Sequence, residues 1–239
     1  MIDLYQGDCL DEMSKIPDHT VDMIFTDLPY GTTHNAWDMP LPLDRLWAQY
    51  RRVLKPGGAV LLFAQMPFGD DLINSNRGWY RYEWIWHKTM PVGFLNANRM
   101  PLRAHENILV FYEHLPTYHP QKTTGKPYTA TRSARATRNY GRLDRATTVN
   151  NGNRYPRDVL TFSNGGNTNK IHPTEKPVDL LEYMIRTYTD VGDTVLDSCM
   201  GSGSCGVACH HLGRSFIGIE KDPGYFDAAR KRIANAAEQ

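Results

Sequence analysis

Apolar residues fall along the chain in short runs that alternate with stretches of helical spacing. Four runs have the length and composition expected of strands buried in a parallel sheet: 21–26, 59–63, 194–196 and 215–220. Three other stretches are predicted to be helices: 43–54, 180–188 and 223–236. Strands and helices that alternate in this way predict a doubly wound α/β sheet.

The middle of the chain departs from this alternation. Residues 79–88 place aromatic and polar side chains in turn, which predicts a strand, and 106–112 predicts one more. From 116 to 169 the periodicity disappears, and Arg, Thr, Asn, Gly and Tyr predominate. This segment is predicted to be an extended arm or a loop-rich insertion, with few residues that could build a core of its own.

Composition narrows the classes of protein to consider. The chain has 239 residues, of which 41% are hydrophobic and 22% charged, as in ordinary globular proteins. No apolar run approaches the roughly 18 residues that span a bilayer, and residues 1–8 lack the features of a signal peptide, so a cytoplasmic protein is expected. The four cysteines form no C-x-x-C pair, and neither a metal site nor a disulfide framework is expected.

Positive charge is concentrated in one segment although the net charge is only +1. Between 116 and 157 a single acid, Asp144, accompanies nine basic residues: Lys122, Lys126, Arg132, Arg135, Arg138, Arg142, Arg145, Arg154 and Arg157. A local excess of this kind is what a polyanion binds. The segment is therefore a candidate nucleic-acid interface, with a solvated loop without a partner as the alternative.

A glycine-rich turn follows the strand at 194–196. Residues 201–206 fit G-x-G-x-x-G, and Glu220 ends the next strand, where a carboxylate can accept both hydroxyls of a ribose. This predicts a cofactor that contains adenosine. Asp197, just before the turn, would repel a pyrophosphate but attract a sulfonium and an ammonium, which favours S-adenosylmethionine over a nicotinamide dinucleotide.

A second constellation, Asp27-Leu28-Pro29-Tyr30, ends the strand at 21–26. An aryl amine is a poor nucleophile until its N–H bonds are held by acceptors, and the Asp27 carboxylate and the Leu28 carbonyl could serve. Pro29 would stiffen the turn, and Tyr30 would stack on a base, a contact worth roughly 1–3 kcal/mol. The alternative is an ordinary strand-to-turn sequence without a catalytic role.

The tetrapeptide resembles the Asp-Pro-Pro-Tyr signature of amino-methylating DNA methyltransferases, and 197–203 is similar to their glycine motif. The order, with the catalytic motif first, is that of the β-class, a circular permutation of the usual methyltransferase. Residues 7–9, 172–177 and 218–220 also resemble family segments. The resemblance covers about 1–112 and 170–239.

The resemblance implies a Rossmann-like fold: a mostly parallel sheet with helices on both faces. It implies two halves of one domain, 1–115 and 170–239, around a target-recognition insertion at 116–169. The catalytic set would be Asp27, Leu28, Pro29 and Tyr30. The set that binds S-adenosylmethionine would be Asp8, Cys9, Thr174, Lys176, Asp197, Met200, Gly201, Ser202, Gly203, Glu220 and Lys221.

The same resemblance implies the substrate, double-stranded DNA, from which the target base would be flipped. Arg132, Arg135, Arg138, Arg142 and Arg145 are the candidate DNA-binding residues, and a homodimer is a further expectation. Asp27 in first position resembles the adenine-N6 enzymes, whereas cytosine-N4 enzymes usually carry Ser there. Leu28 departs from the signature, since it replaces the first proline. Cytosine N4 as the target, and an inactive DNA-binding relative, are the alternatives.

Overall fold

The structure, a computed structural model, describes residues 1–31, 38–139, 141–164 and 175–236. The chain divides into two compact units. The core unit consists of residues 1–119 and 158–239, and the ribbon unit consists of residues 120–157. The ribbon unit is shorter at both ends than the predicted insertion at 116–169. No helix among the described residues has the length and apolarity needed to cross a membrane.

An eight-stranded sheet forms the centre of the core unit. Its strands are β1 (Ile2–Gln6), β2 (Val21–Thr26), β3 (Leu54–Ala64), β4 (Tyr80–Val92), β5 (Arg103–Phe111), β12 (Val159–Phe162), β13 (Thr194–Asp197) and β14 (Ser215–Glu220). Their order across the sheet is β1-β14-β13-β2-β3-β5-β4-β12. Strand β5 runs antiparallel to both of its neighbours, and every other neighbouring pair is parallel. The predicted mostly parallel sheet is confirmed.

Helices cover both faces of this sheet, as predicted. They are α1 (Cys9–Glu12), α2 (Leu43–Val53), α3 (Phe68–Ser75), α4 (Val178–Tyr188), α5 (Ser204–His211) and α6 (Pro223–Ala236). Because side chains alternate along a strand, neighbouring residues of β2 belong to different cores. Phe25 packs with α4, α5 and α6, whereas Ile24 packs with α1, α2 and α3.

The boundary between α2 and β3 differs from the prediction. The sequence predicted that Pro56, Gly57 and Gly58 end the helix and that a strand begins at 59, but β3 begins at Leu54. Leu54 pairs with Val21, and the register then shifts before Met23 pairs with Ala59. The proline and glycines are therefore accommodated at an irregularity of the ladder, where a missing N–H and a positive φ are tolerated.

The ribbon unit consists of short antiparallel strands: β6 (Thr123–Thr124), β7 (Tyr128–Arg132), β8 (Arg135–Thr137), β9 (Gly141–Leu143), β10 (Ala146–Asn150) and β11 (Asn153–Arg154). The pairs β6–β11, β7–β10 and β8–β9 follow one another toward the turn after residue 137, as successive ladders of one two-stranded ribbon. Gly152 is the one buried residue in the described part of this unit. The side chains of the ribbon unit therefore bury almost no apolar surface.

Candidate active site

The two predicted motifs lie side by side. Strands β2 and β13 are parallel neighbours, with Leu196 paired to Ile24, so both motifs emerge at the same edge of the sheet. Thr26 Oγ1 donates a hydrogen bond of 2.7 Å to Asp197 Oδ1 across this junction. Asp27 and Asp197 line one cavity of about 940 Å³, a volume at the upper end of the range for ligand pockets.

The glycine turn has the backbone conformation that its residues predict. Gly201 and Gly203 have φ values of 51° and 75°, a region that favours glycine. A Cβ on Gly203 would lie 3.0 Å from the Cβ of Ala229, and one on Gly206 would lie 2.4 Å from Ile233 Cδ1. These glycines therefore permit both the turn before α5 and the close packing of α6 against it.

Two carboxylates, Asp197 and Glu220, flank this turn. Asp197 is buried and accepts hydrogen bonds from Thr26 Oγ1 and from the Cys199 backbone N–H at 3.2 Å. Burial, with a smaller contribution from the charges of Asp27 and Glu220, raises the pKa of Asp197 to about 7 although the two hydrogen bonds lower it. Among the described residues, neither Asp197 nor Glu220 has an ion-pair partner, so this end of the cavity suits a cationic ligand.

Glu220 is held by backbone groups. Its Oε2 accepts from Gly201 N at 2.9 Å, and its Oε1 accepts from Asp222 N at 2.8 Å. Burial raises the pKa of Glu220 despite these bonds. Each carboxylate oxygen offers a second acceptor position, so Glu220 remains able to accept from the hydroxyls of a ribose.

The other residues predicted to bind the cofactor also surround this end. Asp8 caps α1 by accepting from Leu10 N at 3.1 Å, and its second oxygen lies 3.3 Å from Lys221 Nζ. Cys9, Met200 and Ser202 line the cavity, although little of each is exposed. Thr174 lies outside the described residues.

Sequence reasoning missed an arginine that braces the turn. Arg232 of α6 lies 2.7 Å from Glu175 Oε1 and donates to the hydroxyls of Ser202 and Ser204 at 3.2 and 3.1 Å. The Glu175 side chain is only 5% exposed. Arg232 thus connects the glycine turn to the segment that carries Lys176. No sequence pattern marked it, because an arginine on an amphipathic helix ordinarily faces solvent.

Where the tetrapeptide lines the cavity, Asp27 is hydrogen-bonded at both oxygens. Tyr30 OH donates to Oδ1 at 2.8 Å, and Lys176 Nζ lies 2.7 Å from Oδ2. The Tyr30 ring stacks on Phe68, with centroids 4.9 Å apart, so a base could stack only on its other face. Burial, and then the charge of Asp27, raise the pKa of Tyr30, which keeps the phenol a proton donor. Leu28 is buried, and Pro29 lines the cavity.

Lys176, which the resemblance assigned to the cofactor, therefore contacts the tetrapeptide that was predicted to be catalytic. Its Nζ also lies 3.1 Å from Glu106 Oε2, and Lys88 pairs with Glu106 Oε1. Sequence reasoning missed Glu106 and Lys88. A signal existed for Lys88, because strand alternation puts it on the same buried face as Trp84 and Trp86.

The five arginines predicted to bind DNA, Arg132, Arg135, Arg138, Arg142 and Arg145, all lie in the ribbon unit and are all exposed. Arg142 approaches Asp144 at 3.7 Å, with both side chains in solvent. In the parts of the chain that the structure describes, no three His, Cys, Asp or Glu side chains are grouped as metal ligands would be.

Comparison with known proteins is consistent with this geometry. A family profile described as DNA methylase matches residues 21–231. Type II methyltransferase M.HpaI of Haemophilus parainfluenzae is 31% identical over 92% of this chain and 70% of its own length. Type II methyltransferase M2.DpnII of Streptococcus pneumoniae is 29% identical over 96% of this chain and 88% of its own length. The crystal structure of the M1.HpyAVI–SAM complex superposes with a TM-score of 0.70 at 26% identity, covering 98% of this chain and 99% of that one.

The fold, the shared cavity and these relatives define the class of protein as a DNA methyltransferase with an α/β fold. Within that class, the chain belongs to the DNA methylase family of N6 and N4 methyltransferases. The methyl donor of this family is S-adenosylmethionine. The family, the fold and the cofactor predicted from the sequence are confirmed.

Proposed function

We propose that the protein methylates N6 of adenine in double-stranded DNA. One observation carries the proposal: Asp27, a carboxylate acceptor, lies in the same cavity as Asp197 and Glu220, which have no ion-pair partners in the described chain. Such a cavity offers one end to a cation and the other to an N–H donor. A carboxylate in the first position of the tetrapeptide favours adenine over cytosine.

The residues of the tetrapeptide orient the amine. A carboxylate oxygen of Asp27 accepts one N–H of the adenine amine, and the backbone carbonyl of Leu28 accepts the other. S-adenosylmethionine supplies the methyl group: the N–C bond forms as the C–S bond breaks, sulfur keeps the electron pair, and the amine afterwards releases a proton to solvent. Tyr30 offers the face of its ring that Phe68 does not cover.

The position of Asp27 supports flipping of the target base. The Asp27 side chain is only 24% exposed, inside the cavity, whereas the amine of a paired adenine lies within the duplex. The base therefore has to leave the stack before its amine can meet this carboxylate. We assign this step to the protein as part of the proposed function.

The hairpin between β4 and β5 supports the same step. Val92 and Arg103 pair at its base and line the cavity. At its tip, Phe94 and Leu95 are 80% and 99% exposed. Exposed apolar side chains beside a base pocket suit insertion between base pairs, where they fill the space left by the flipped base.

The ribbon unit supplies the remaining contacts with DNA in this proposal. A two-stranded ribbon fits the major groove, and exposed arginines can pair with phosphates or with guanine edges. The assigned residues are Arg132, Arg135, Arg138, Arg142 and Arg145.

Nucleoside analysis tests the proposal. DNA from cells that express the protein is digested and analysed by mass spectrometry, with cells that express Asp27→Ala as the control. We expect N6-methyladenine with the wild type and none above background with the variant. N4-methylcytosine would replace adenine by cytosine as the target. Absence of both, together with salt-sensitive DNA binding, would identify an inactive DNA-binding relative.

A further inference from the structure

Four charged side chains form a continuous series of contacts around Asp27, where the target base is proposed to bind. Lys176 Nζ lies 2.7 Å from Asp27 Oδ2 and 3.1 Å from Glu106 Oε2, and Lys88 pairs with the other oxygen of Glu106. The side chains of Lys88, Glu106 and Lys176 are 7%, 8% and 11% exposed. Two carboxylates and two ammonium groups therefore balance one another in a region that is mostly shielded from water.

The topology of the sheet explains how Glu106 reaches this place. Parallel strands bring only their carboxyl ends to the cavity edge, where Asp27 follows β2 and Lys88 lies near the end of β4. Strand β5 runs in the opposite direction, so its amino end, with Arg103 and Glu106, lies at the same edge. Because β5 is reversed, its Glu106 lies between Lys88 of β4 and Lys176 of the segment before α4.

Each charged group also keeps its neighbours ionised. Burial acts to raise the pKa of Glu106, but the ammonium groups of Lys176 and Lys88 lower it overall. Burial acts to lower the pKa of Lys176, but the carboxylates of Asp27 and Glu106 raise it well above its ordinary value. Lys176 therefore remains an ammonium at neutral pH, which makes it a hydrogen-bond donor to Asp27 and not a base.

Neighbouring side chains restrict the lysines. Lys176 Nζ lies 4.8 Å from the centre of the Phe63 ring, and Lys88 Nζ lies 4.9 Å from that of Trp86. Cations over aromatic faces are attracted to the ring, so each ammonium is held on a fixed surface as well as by its carboxylates.

Glu106 is held from the side of β3 as well. Gln65 Nε2 donates to Glu106 Oε1 at 3.1 Å, and Arg103 in turn donates to Gln65 Oε1 at 2.7 Å. An acceptor with this many partners has little freedom to rotate.

We propose that Glu106 is a positioning residue for methyl transfer: it holds Lys176 against Asp27, so that Asp27 meets the incoming amine in one fixed orientation. The inference rests on the proposed role of Asp27. Because a carboxylate oxygen has two acceptor positions, the amine can bond to Asp27 while Lys176 and Tyr30 stay in place. Fixed acceptors matter because a displacement of about 1 Å can lower a rate roughly 100-fold.

The test is Glu106→Gln, which preserves shape and removes one charge. We expect kcat to fall about 10- to 100-fold, as a displaced acceptor would produce. The KM for DNA and the Kd for S-adenosylmethionine, measured by calorimetry, should change less than about 2-fold, because Glu106 contacts neither ligand in this proposal. An unchanged kcat in the folded variant would overturn the inference.

Thermal unfolding without cofactor gives a second readout, which reports on the charge network independently of methyl transfer. The charged and titratable groups around Glu106 are Lys88 of β4, Lys176 before α4, and Asp27 and Tyr30 after β2. In Glu106→Gln, two ammonium groups share one carboxylate, so one lysine has a lower pKa in the native state than in the unfolded state. The free energy of unfolding of the variant then increases as the pH approaches about 10.4, the pKa of lysine in the unfolded chain. The difference in Tm between the variant and the wild type should therefore shrink between pH 7 and pH 10.

Two further variants keep the inference falsifiable. Glu106→Gln combined with Lys88→Met leaves one ammonium and one carboxylate, so the pH dependence of the Tm deficit should disappear; persistence would contradict the charge argument. Glu83→Gln is the matched control, because Glu83 is half-buried, hydrogen-bonded to Asn107 and outside the cavity lining. We expect it to keep wild-type kcat.

These readouts separate the inference from the proposed function. If the wild type methylated no base, the proposed function would fail, and the Tm measurements would still report on the charge network. If the wild type methylated adenine while Glu106→Gln kept full kcat, only the positioning role would be lost.

Discussion

Asp197 and Asp27 follow neighbouring strands and line one cavity, but the protein surrounds them differently. Asp197 is held by a hydroxyl and a backbone N–H, and the described residues provide no cation to pair with it. Asp27, together with Glu106, is paired with lysines. The region around Asp197, called here the unbalanced end, therefore carries excess negative charge, while the region around Asp27, the balanced end, is close to neutral.

This difference matches the charges of the two ligands. S-adenosylmethionine carries a sulfonium and an ammonium, so a carboxylate without a protein cation is stabilised only when the cofactor binds. An adenine amine is neutral, and it needs an acceptor whose charge is already balanced and whose direction is fixed. Under the proposed function, the difference in pairing would direct the cofactor to Asp197 and the amine to Asp27.

The largest effect should come from Asp27→Asn at the balanced end. The carboxylate has two acceptor oxygens, whereas the amide has only one and carries a donor NH2 group in place of the other. We therefore expect methyl transfer to fall roughly 100- to 1,000-fold, as when one catalytic hydrogen-bonding group is removed. Cofactor affinity should change less than about 2-fold. Transfer of label from methyl-labelled cofactor and calorimetry measure the two quantities. Full activity in this variant would remove Asp27 from catalysis.

The next effect should come from Asp197→Asn at the unbalanced end. A hydrogen bond to a charged group contributes roughly 1.5–3 kcal/mol, so loss of this carboxylate should raise the Kd for S-adenosylmethionine about 10- to 100-fold. The cofactor-free variant should unfold at a higher temperature than the wild type at pH 8, since it no longer buries an unpaired charge. Calorimetry and thermal melts measure both, and unchanged affinity would contradict the comparison.

Cofactor binding should also depend on pH through Asp197. Because the pKa of Asp197 is raised to about 7, this group is protonated below that pH and cannot pair with a cation. We expect affinity to fall below about pH 7, by up to roughly 10-fold per pH unit, and Asp197→Asn to lack this transition.

The same group sets a pH dependence of stability in the absence of cofactor. Its native pKa of about 7 exceeds the unfolded value of about 3.9, so the native state binds the proton more tightly. The contribution of Asp197 to stability should therefore decline as pH rises through this window, and it should be lowest above pH 7. Chemical denaturation of the wild type and of Asp197→Asn at several pH values isolates this contribution.

A smaller effect is expected from Arg232→Met. Glu175, Ser202 and Ser204 would lose a shared partner, at a cost of about 1–3 kcal/mol in the free energy of unfolding. The looser turn should raise the Kd for the cofactor about 3- to 10-fold and leave the KM for DNA unchanged. If the KM for DNA rose and the Kd did not, Arg232 would belong to the other end of the cavity.

The smallest effects should follow substitutions in the ribbon unit. Arg135→Ala and Arg142→Ala should each raise the KM for DNA a few-fold, and an arginine that binds a phosphate should, when removed, reduce the salt dependence of binding by about one charge. Neither should change cofactor affinity. Arg230→Ala is the control, because Arg230 is an exposed arginine of the core unit. Equal effects in all three variants would show that general surface charge, and not the ribbon, binds DNA.

The residues that the sequence predicted most directly share one property. Asp27, Asp197 and Glu220 each follow or end an apolar run, and parallel strands bring such ends to one edge of the sheet. A short apolar run that ends in an acidic residue was therefore enough to place these three carboxylates at one edge of the sheet. The same holds for the glycine turn, whose conformation only glycine adopts readily.

The partners of Lys176 could not be predicted in this way. The apolar pattern of 106–112 indicated a strand, but a strand and its reverse have the same pattern, and the direction of β5 decides where Glu106 lies. The contact between Lys176 and Glu106 joins residues that are far apart in the chain. It depends on tertiary packing, which no local spacing encodes.

The ribbon unit has a consequence for how such a protein evolves. With one buried residue among those described there, almost any exposed side chain can change without loss of packing energy. If the ribbon binds DNA as proposed, selection for a new DNA sequence can act on it while the cavity in the core unit stays the same. Target sites would then diversify through substitutions in a segment that the fold hardly constrains.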